Sequence, residues 1–293
     1  MPSSTRASKP ANSRSPRAEL FRRLARNPRI WFGASIAILF ISAAIFAPWL
    51  APTAPDDMDI ALRLTPPGGK DLLGRDLNGG SVLTAMLYGA RTSLYISFLT
   101  VLLSCTLGTT VGLAAGFKRG TLDAVLMRIV DLLMAFPGTL LAMSLAALMG
   151  PSLNNVIFAI AATGWTSSAR LVRGQTLSVR EREYVLSSRA MGATDWRQIW
   201  KHVFPATLSP LVVHATFSLS GVIVVEASLS FLGLGPQDGA PSWGAILGQG
   251  RTVLTEAPFL SMIPGCAIAL LVLALNFVGD ALRDILDPRA VSS

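Results

Sequence analysis

Long apolar runs alternate with shorter polar stretches along most of this chain. A helix that crosses a bilayer needs about 20 predominantly apolar residues. Runs of roughly this length or more cover residues 30–50, 92–116, 122–149, 153–169, 208–234 and 259–279. The pattern therefore predicts an all-α, polytopic membrane protein with six transmembrane helices.

The composition agrees with a membrane protein. Hydrophobic residues make up 51% of the chain and charged residues 14%, whereas about 25% are charged in an ordinary soluble domain. The formal net charge of +8 is distributed around the apolar runs, so it indicates a membrane protein, and no nucleic-acid partner is predicted. Cys105 and Cys266 lie in separate apolar runs, which gives no basis for a disulfide framework.

The polar stretches divide the chain into four regions. Residues 1–29 are rich in Ser, Pro and Arg and are predicted to form a disordered basic tail. The run 30–50 exceeds the apolar part of a signal peptide, so we expect a retained first transmembrane helix. Residues 51–91 are punctuated by Pro and Gly and should lie outside the bilayer. Residues 92–289 should form a five-helix core that includes a long polar connection at 173–207.

The distribution of cations predicts the orientation. Most of the 25 Lys and Arg fall in the tail, in 118–128, in 170–201 and after 282. Cytoplasmic segments of membrane proteins retain Lys and Arg. The N-terminus and the C-terminus are therefore predicted to be cytoplasmic, with 51–91 extracytoplasmic.

The connection 173–207 contains two helical patterns. The first covers Arg180–Met191 and stops at Gly192, a residue suited to a helix C-terminus. The second starts at Asp195, a predicted N-cap, and Pro205 is expected to limit it. Its apolar residues recur at helical spacing and predict one aromatic stripe: Trp196, Ile199, Trp200, Val203 and Phe204. Such a stripe fits an interfacial helix at the lipid headgroups or a helix that docks into a groove of a cytoplasmic partner.

The same connection resembles the coupling-loop motif of inner-membrane permeases from binding-protein-dependent ABC importers. Gly192 and Pro205 match that motif in type and spacing, while Leu186, Ser187 and Ser188 replace its Glu-Ala-Ala. Further resemblances narrow the branch to peptide and nickel permeases, and lie at 73–76, 88–94, 127–137, 226–235 and 279–289. The first apolar run with its outer segment is similar to the N-terminal extension of the dipeptide permease's C-type subunit.

This resemblance implies a type I ABC importer permease fold and a permease subunit that forms half of a translocation pathway. The implied partners are a homologous second permease, two ATP-binding subunits and an extracytoplasmic solute-binding protein, in a bacterial inner membrane. ATP and Mg would be bound by the partner subunits, with no cofactor in this chain. Short peptides, with dipeptides first, are the implied substrates, and nickel or another small solute is the alternative. The residues assigned to ATPase coupling are Tyr184, Ser187, Ser188, Gly192, Asp195, Trp196, Ile199, Trp200, Phe204 and Pro205.

Two acidic residues interrupt apolar runs and are candidates for a pathway role, because intramembrane ionisable groups are costly. Asp131 has Arg128 one helical turn away as a candidate partner, whereas Glu226 has no cation nearby in sequence. A proton-coupled secondary transporter that uses these acids is the competing function, and a membrane scaffold without transport is another.

An enzymatic function is not supported by the sequence. The chain has no phosphate-binding Gly-x4-Gly-Lys-Ser/Thr loop, so it is not expected to be an ATPase itself. His202 and His214 are the two histidines, and without cysteine neighbours they make a poor metal site.

The outer connection Pro236–Pro258 is predicted to receive the solute-binding protein. Asp238 and Trp243 would supply charge and contact area. The alternative is an ordinary loop with Trp243 in the aromatic belt of the membrane.

Overall fold

A computed structural model describes residues 28–69, 71–237 and 241–286. Within these ranges the only extended pairings are isolated bridges, and the all-α prediction is confirmed. A short 3₁₀ helix covers Ile60–Leu62. The α-helices are α1 (Pro28–Ile45), α2 (Ala47–Leu50), α3 (Val82–Lys118), α4 (Gly120–Met134), α5 (Gly138–Met149), α6 (Leu153–Arg180), α7 (Glu183–Ala190), α8 (Asp195–Gln198), α9 (Phe204–Phe231), α10 (Trp243–Arg251) and α11 (Phe259–Leu286). The predicted tail 1–29 lies outside the described residues except for its last two positions.

Four helical segments of the described chain are long and apolar enough to cross a membrane by themselves. They are α1, α3, the helix Asp195–Phe231 that contains α8 and α9, and α11. Helix α6 has 28 residues, but it includes Asn154, Asn155 and Arg170 and is less apolar than the other four. By length and composition, the described residues therefore do not show six separate spanning helices.

The predicted span over 122–149 is broken into two helices, α4 and α5. The chain bends by 85° between α4 and α5. Pro137 lies at this break and has no N–H to continue the helix, while its ring disfavours helical geometry in Phe136. With 15 and 12 residues, α4 and α5 can complete one crossing only as a pair.

Helices α3 and α6 pack in parallel through a stripe of glycines. A Cβ at Gly108 would come within 2.5 Å of the Ser168 Cβ, and one at Gly116 within 2.8 Å of the Thr176 Cβ. Gly112, between them, faces Ala169 and Val172. Small residues at every fourth position let two backbones approach closely, as in many membrane helix pairs.

The parallel pairing determines the path of α4 and α5. Because α3 and α6 run in the same direction, the chain must return between them from the end of α3 to the start of α6. The pair α4 and α5 provides this return, and Ala142 and Ala146 of α5 are buried with Val156 and Ile160 of α6.

Helix α11 runs antiparallel to its neighbours. The Ser220 hydroxyl of α9 donates to Asn276 Oδ1 of α11 at 3.1 Å, and Gly279 faces Phe217. On its other side α11 contacts α1, where Gly33 lies against the Ala274 carbonyl. These contacts place the first helix on the same bundle as the core.

Two helix boundaries and one connection differ from the prediction. Helix α3 begins at Val82 rather than near 92, because Ser81 accepts a hydrogen bond from the Thr84 amide and caps it. The outer connection is not a simple loop, since α10 lies within it and Ser242 caps it in the same way. The helix that starts at Asp195 does not stop at Pro205 but continues to Phe231.

Candidate functional site

The coupling segment, defined here as residues 181–205, joins α6 to α9. Its first part is α7, which ends where the sequence predicts. Gly192 has φ +86°, its amide donates to the Arg189 carbonyl at 2.9 Å, and the Ala193 amide donates to the Ser188 carbonyl at 3.1 Å. This pair of bonds is the Schellman arrangement, in which a glycine adopts the left-handed conformation that closes a helix. The predicted helix 180–191 is nevertheless interrupted, because α6 ends at Arg180 and α7 starts at Glu183.

The second part of the segment is capped by Thr194 rather than by the predicted Asp195. The Thr194 hydroxyl accepts a hydrogen bond from the Arg197 amide. Asp195 occupies the first turn, where its negative charge is favourable next to the helix N-terminus. The side chain of Gln198 is buried and donates to the Ala193 carbonyl at 2.9 Å.

A π-helical turn at Ile199–Val203 precedes Pro205 and explains why the proline does not end the helix. Proline is tolerated near the first position of a helix because its missing N–H has no partner to lose there. Pro205 follows Phe204, the first residue of α9. The widened turn also changes the direction of the side chains around it.

The predicted single stripe is therefore divided between two faces. Val203 is fully buried, and Ile199 packs with it against the ends of α3 and α6. Trp196 and Trp200 point outwards, with 70% and 47% of their surface exposed. The ring centroids of Trp196 and Trp200 are 5.4 Å apart, and those of Trp200 and Phe204 are 5.0 Å apart.

The inner face anchors the coupling segment to the bundle. Val185 and Val203 join Phe117 and Val179 in one buried cluster. The Arg180 guanidinium donates to the carbonyls of Gly116 and Phe117, which are end groups of α3 and need donors. A shift of the coupling segment would therefore move the ends of α3 and α6 with it.

The outer face carries most of the other residues assigned to coupling. Tyr184 is half-exposed and its ring lies 5.8 Å from that of His202. Ser187 is exposed, whereas Ser188 is buried. Exposed aromatic groups next to a rigid helix are the anchors that protein interfaces favour.

Asp131 does not pair with Arg128. Its carboxylate accepts a hydrogen bond from Arg170 of α6 at 2.6 Å, and both side chains are more than half exposed. About two turns earlier on α4, the Asp123 carboxylate accepts two hydrogen bonds of 2.6 and 2.7 Å from Arg173. These pairs hold α4 against α6, and sequence spacing does not reveal them because the partners lie on different helices.

Glu226 is fully buried where α3, α9 and α10 meet. Ser230 donates to its Oε1 at 2.7 Å. The hydroxyls of Ser93 and Ser242 approach the same carboxylate, yet Oε2 makes no hydrogen bond with the described residues. Ser230 lies one turn from Glu226 on α9, whereas Ser93 comes from α3 and Ser242 from the start of α10, so the local sequence indicates only part of this site.

Trp243 lies in the interior and not on the outer surface. It is 1% exposed, its indole N–H donates to the Met86 carbonyl at 2.9 Å, and its ring contacts Phe40. Trp243 therefore cannot give a partner contact area in this conformation, and it holds α10 onto α3 and α1. Asp238, the other residue predicted for docking, lies outside the described residues.

The comparison with known families decides the identity of this fold. Residues 108–292 match the family described as binding-protein-dependent transport system inner membrane component. The chain belongs to this family. Residues 15–67 match a second family, the N-terminal TM domain of oligopeptide transport permease C. The protein is thus a multi-pass permease component of an inner membrane, and as such it is not itself the ATPase.

Relatives of this permease cover nearly its whole length. It is 39% identical over 278 residues to the dipeptide transport system permease protein DppC of Alkalihalophilus pseudofirmus, covering 95% of this chain and 91% of the relative. It is 40% identical over 280 residues to the glutathione transport system permease protein GsiD of Pectobacterium atrosepticum, covering 95% and 93%. A solved inward-facing structure of the MetNI methionine ABC transporter shares the fold, with a TM-score of 0.58, 22% identity, and coverage of 71% of this chain and 97% of that chain.

Proposed function

We propose that this permease imports short peptides, with dipeptides as the first class, as one of two homologous permease subunits in an ATP-driven importer. The family match and relatives that carry dipeptide and glutathione in their names support this proposal. The single observation that carries the coupling role is the exposed aromatic pair Trp196 and Trp200 on a segment anchored to the ends of α3 and α6. Two ATP-binding subunits, with ATP and Mg, would bind this outer face.

We further propose six membrane crossings with both termini in the cytoplasm. Helices α1, α3, α6, the helix 195–231 and α11 each cross once, and α4 with α5 crosses as a bent pair. The parallel arrangement of α3 and α6 supports the bent crossing, because the chain has to return between them. Cations at the end of α3 and in the coupling segment support the orientation.

Cysteine labelling tests this topology. With Cys105 and Cys266 replaced by Ser, Leu72→Cys should react with a membrane-impermeant maleimide in intact cells. Ser187→Cys should react only after permeabilisation. Both positions are exposed in the fold, so accessibility to the reagent will depend on the side of the membrane. Reaction of Ser187→Cys in intact cells would overturn the orientation.

Selectivity is proposed to lie in the solute-binding protein, which would dock at the outer cleft. This cleft, of about 310 Å³, lies between the segment 54–85 and the start of α10. Asp76, Gln237 and Gln249 are among its polar residues. Trp243 would support the cleft from beneath.

Uptake by a reconstituted complex tests the function. Proteoliposomes that contain this permease, its partner permease, both ATP-binding subunits and the binding protein should accumulate a labelled dipeptide only when ATP reaches the ATPases. Glu226→Gln should keep uptake within about twofold, because a volume-conserving change in a core usually costs little and the amide oxygen still accepts from Ser230. Glu226→Ala is the contrasting variant, since it leaves a cavity among α3, α9 and α10.

Two results would contradict this proposal. Uptake driven by an imposed proton gradient without ATP, and abolished by Glu226→Gln, would support a secondary transporter. Accumulation of nickel but of no dipeptide would identify the other substrate class of this branch.

A further inference from the structure

A second cavity, which the coupling mechanism does not use, opens between α6, α9 and α11. This inner cavity has a volume of about 870 Å³. It lies beside the coupling segment, since Arg182 of that segment and Ala206 at the start of α9 both line it. Under the proposed topology this is the cytoplasmic half of the membrane.

The cavity has an apolar wall and a cationic rim. Leu171, Val213 and Phe217 line its deeper part, and Arg182 and Arg283 line the part nearer the helix ends. No Asp or Glu of the described residues lines it. Neither arginine takes part in an ion pair with another described residue, whereas Arg119, Arg170 and Arg173 on neighbouring segments all do.

The depth of the cavity matches one leaflet of a bilayer. From Leu171 to the end of α6 at Arg180 the wall extends about 14 Å, at 1.5 Å per residue, and Arg182 follows just beyond this end. Half of a hydrocarbon core is about 15 Å. A ligand that fills this space would place an apolar chain against Leu171 and Phe217 and a charged group at the level of the arginines.

We propose that the inner cavity binds an anionic phospholipid of the cytoplasmic leaflet, with its phosphate between Arg182 and Arg283. Basic pockets between transmembrane helices on the cytoplasmic side suit anionic headgroups, and arginine binds phosphate oxygens in a two-pronged geometry. A peptide fits less well, because each of its backbone N–H and C=O groups would need a partner along a mostly apolar wall. The one histidine in the wall, His214, already has its Nε2 3.1 Å from the Ser168 hydroxyl.

Because of the position of the cavity, a bound lipid would affect how the permease helices are arranged. Its walls belong to α6 and α9, which the coupling segment joins, and to α11, which packs on α9. A bound lipid would stabilise one arrangement of these helices, so its presence should change the rate at which the complex hydrolyses ATP. This part of the inference depends on the proposed function, whereas lipid binding itself does not.

The test measures lipid binding to the complete complex. After delipidation in detergent, the complex is titrated with dioleoyl phosphatidylglycerol, and bound lipid is counted by native mass spectrometry. Arg182→Gln with Arg283→Gln should weaken binding about 20-fold, because each cation near a membrane surface contributes roughly fivefold. Lys118→Gln with Arg128→Gln removes the same charge at exposed sites outside the cavity and should leave the affinity unchanged. Dioleoyl phosphatidylcholine should bind weakly to all variants.

A second variant tests the apolar wall while both arginines remain. Val213→Trp should obstruct the apolar part of the cavity and weaken phosphatidylglycerol binding without altering net charge. Equal binding in the cavity variants and the surface control would overturn the proposal. Displacement of the lipid by a dipeptide at its transport concentration would also overturn it and would identify the cavity as part of the peptide pathway. Absence of bound lipid from the complete complex, with the second permease covering the cavity, would overturn it as well. Dipeptide uptake by the same preparations shows separately whether the proposed function holds.

Discussion

Replacing Gly112 with alanine is expected to lower the thermal stability of the permease and to abolish most of its transport. A Cβ at this position would lie 2.6 Å from the Ala169 carbonyl oxygen and 2.8 Å from the Val172 Cβ. Both neighbours are backbone or branch-point atoms that cannot rotate away, so α3 and α6 must separate. Overpacking of this kind costs about 1–3 kcal/mol.

Gly174→Ala is the matched control for this prediction. Gly174 lies on α6, the helix against which Gly112 of α3 packs, but a Cβ there meets no described heavy atom within 4 Å. Alanine is favoured over glycine inside a helix by about 1 kcal/mol, so this variant should be as stable as the wild type or more stable. The melting temperature of the purified complex measures both. If the two alanines lower it equally, the close contact between α3 and α6 is not what holds the bundle together.

Replacing Trp196 and Trp200 together with alanine is expected to uncouple ATP hydrolysis from uptake. The two indoles pack edge to face and are the largest exposed groups of the coupling segment. Aromatic anchors at protein interfaces often contribute about 2 kcal/mol or more. The double variant should therefore bind the ATP-binding subunits more weakly and lose most substrate-stimulated hydrolysis, while the binding protein keeps its affinity for ligand.

Trp49→Ala serves as the control for loss of an exposed indole. Trp49 is 77% exposed and lies in α2, just beyond the outer end of α1 in the proposed topology and far along the chain from the coupling segment. Its loss should leave assembly with the ATP-binding subunits unchanged, as judged by co-purification. Normal coupling in the Trp196 and Trp200 variant would mean that these rings only anchor the segment in the lipid interface.

Local pattern predicted the parts of the coupling segment that depend on neighbouring residues. Gly192 ends α7 because only a residue without a Cβ enters the left-handed conformation at little cost. The apolar spacing from Trp196 to Phe204 correctly indicated a helix. The pattern failed at Pro205, because a π-helical turn just before it accommodates the proline and rotates Ile199 and Val203 away from the two tryptophans.

The two acidic candidates in apolar helices also show that local pattern does not predict contacts between distant segments. The sequence identified Asp131 and Glu226 as unusual, since acids are rare in apolar helices. It did not identify Arg170 as the partner of Asp131, or the serines that surround Glu226. Ser230 lies one turn from Glu226 on α9. Arg170, Ser93 and Ser242 lie outside the helix of the acid that they approach, and sequence separation carries no information about such partners without the fold.

The sequence by itself determined that this protein is helical and belongs in a membrane, because hydropathy, helix spacing and turn residues act over short distances along the chain. Its resemblance to the coupling-loop motif of permeases also comes from a short stretch of neighbouring residues. Only the tertiary structure decided which faces meet. The glycines of α3 are a closely packed seam because α6 lies parallel to them, and Trp243 is an interior anchor because α1 and α3 enclose it. Contacts of this kind depend on how distant segments pack, and short-range patterns do not specify that packing.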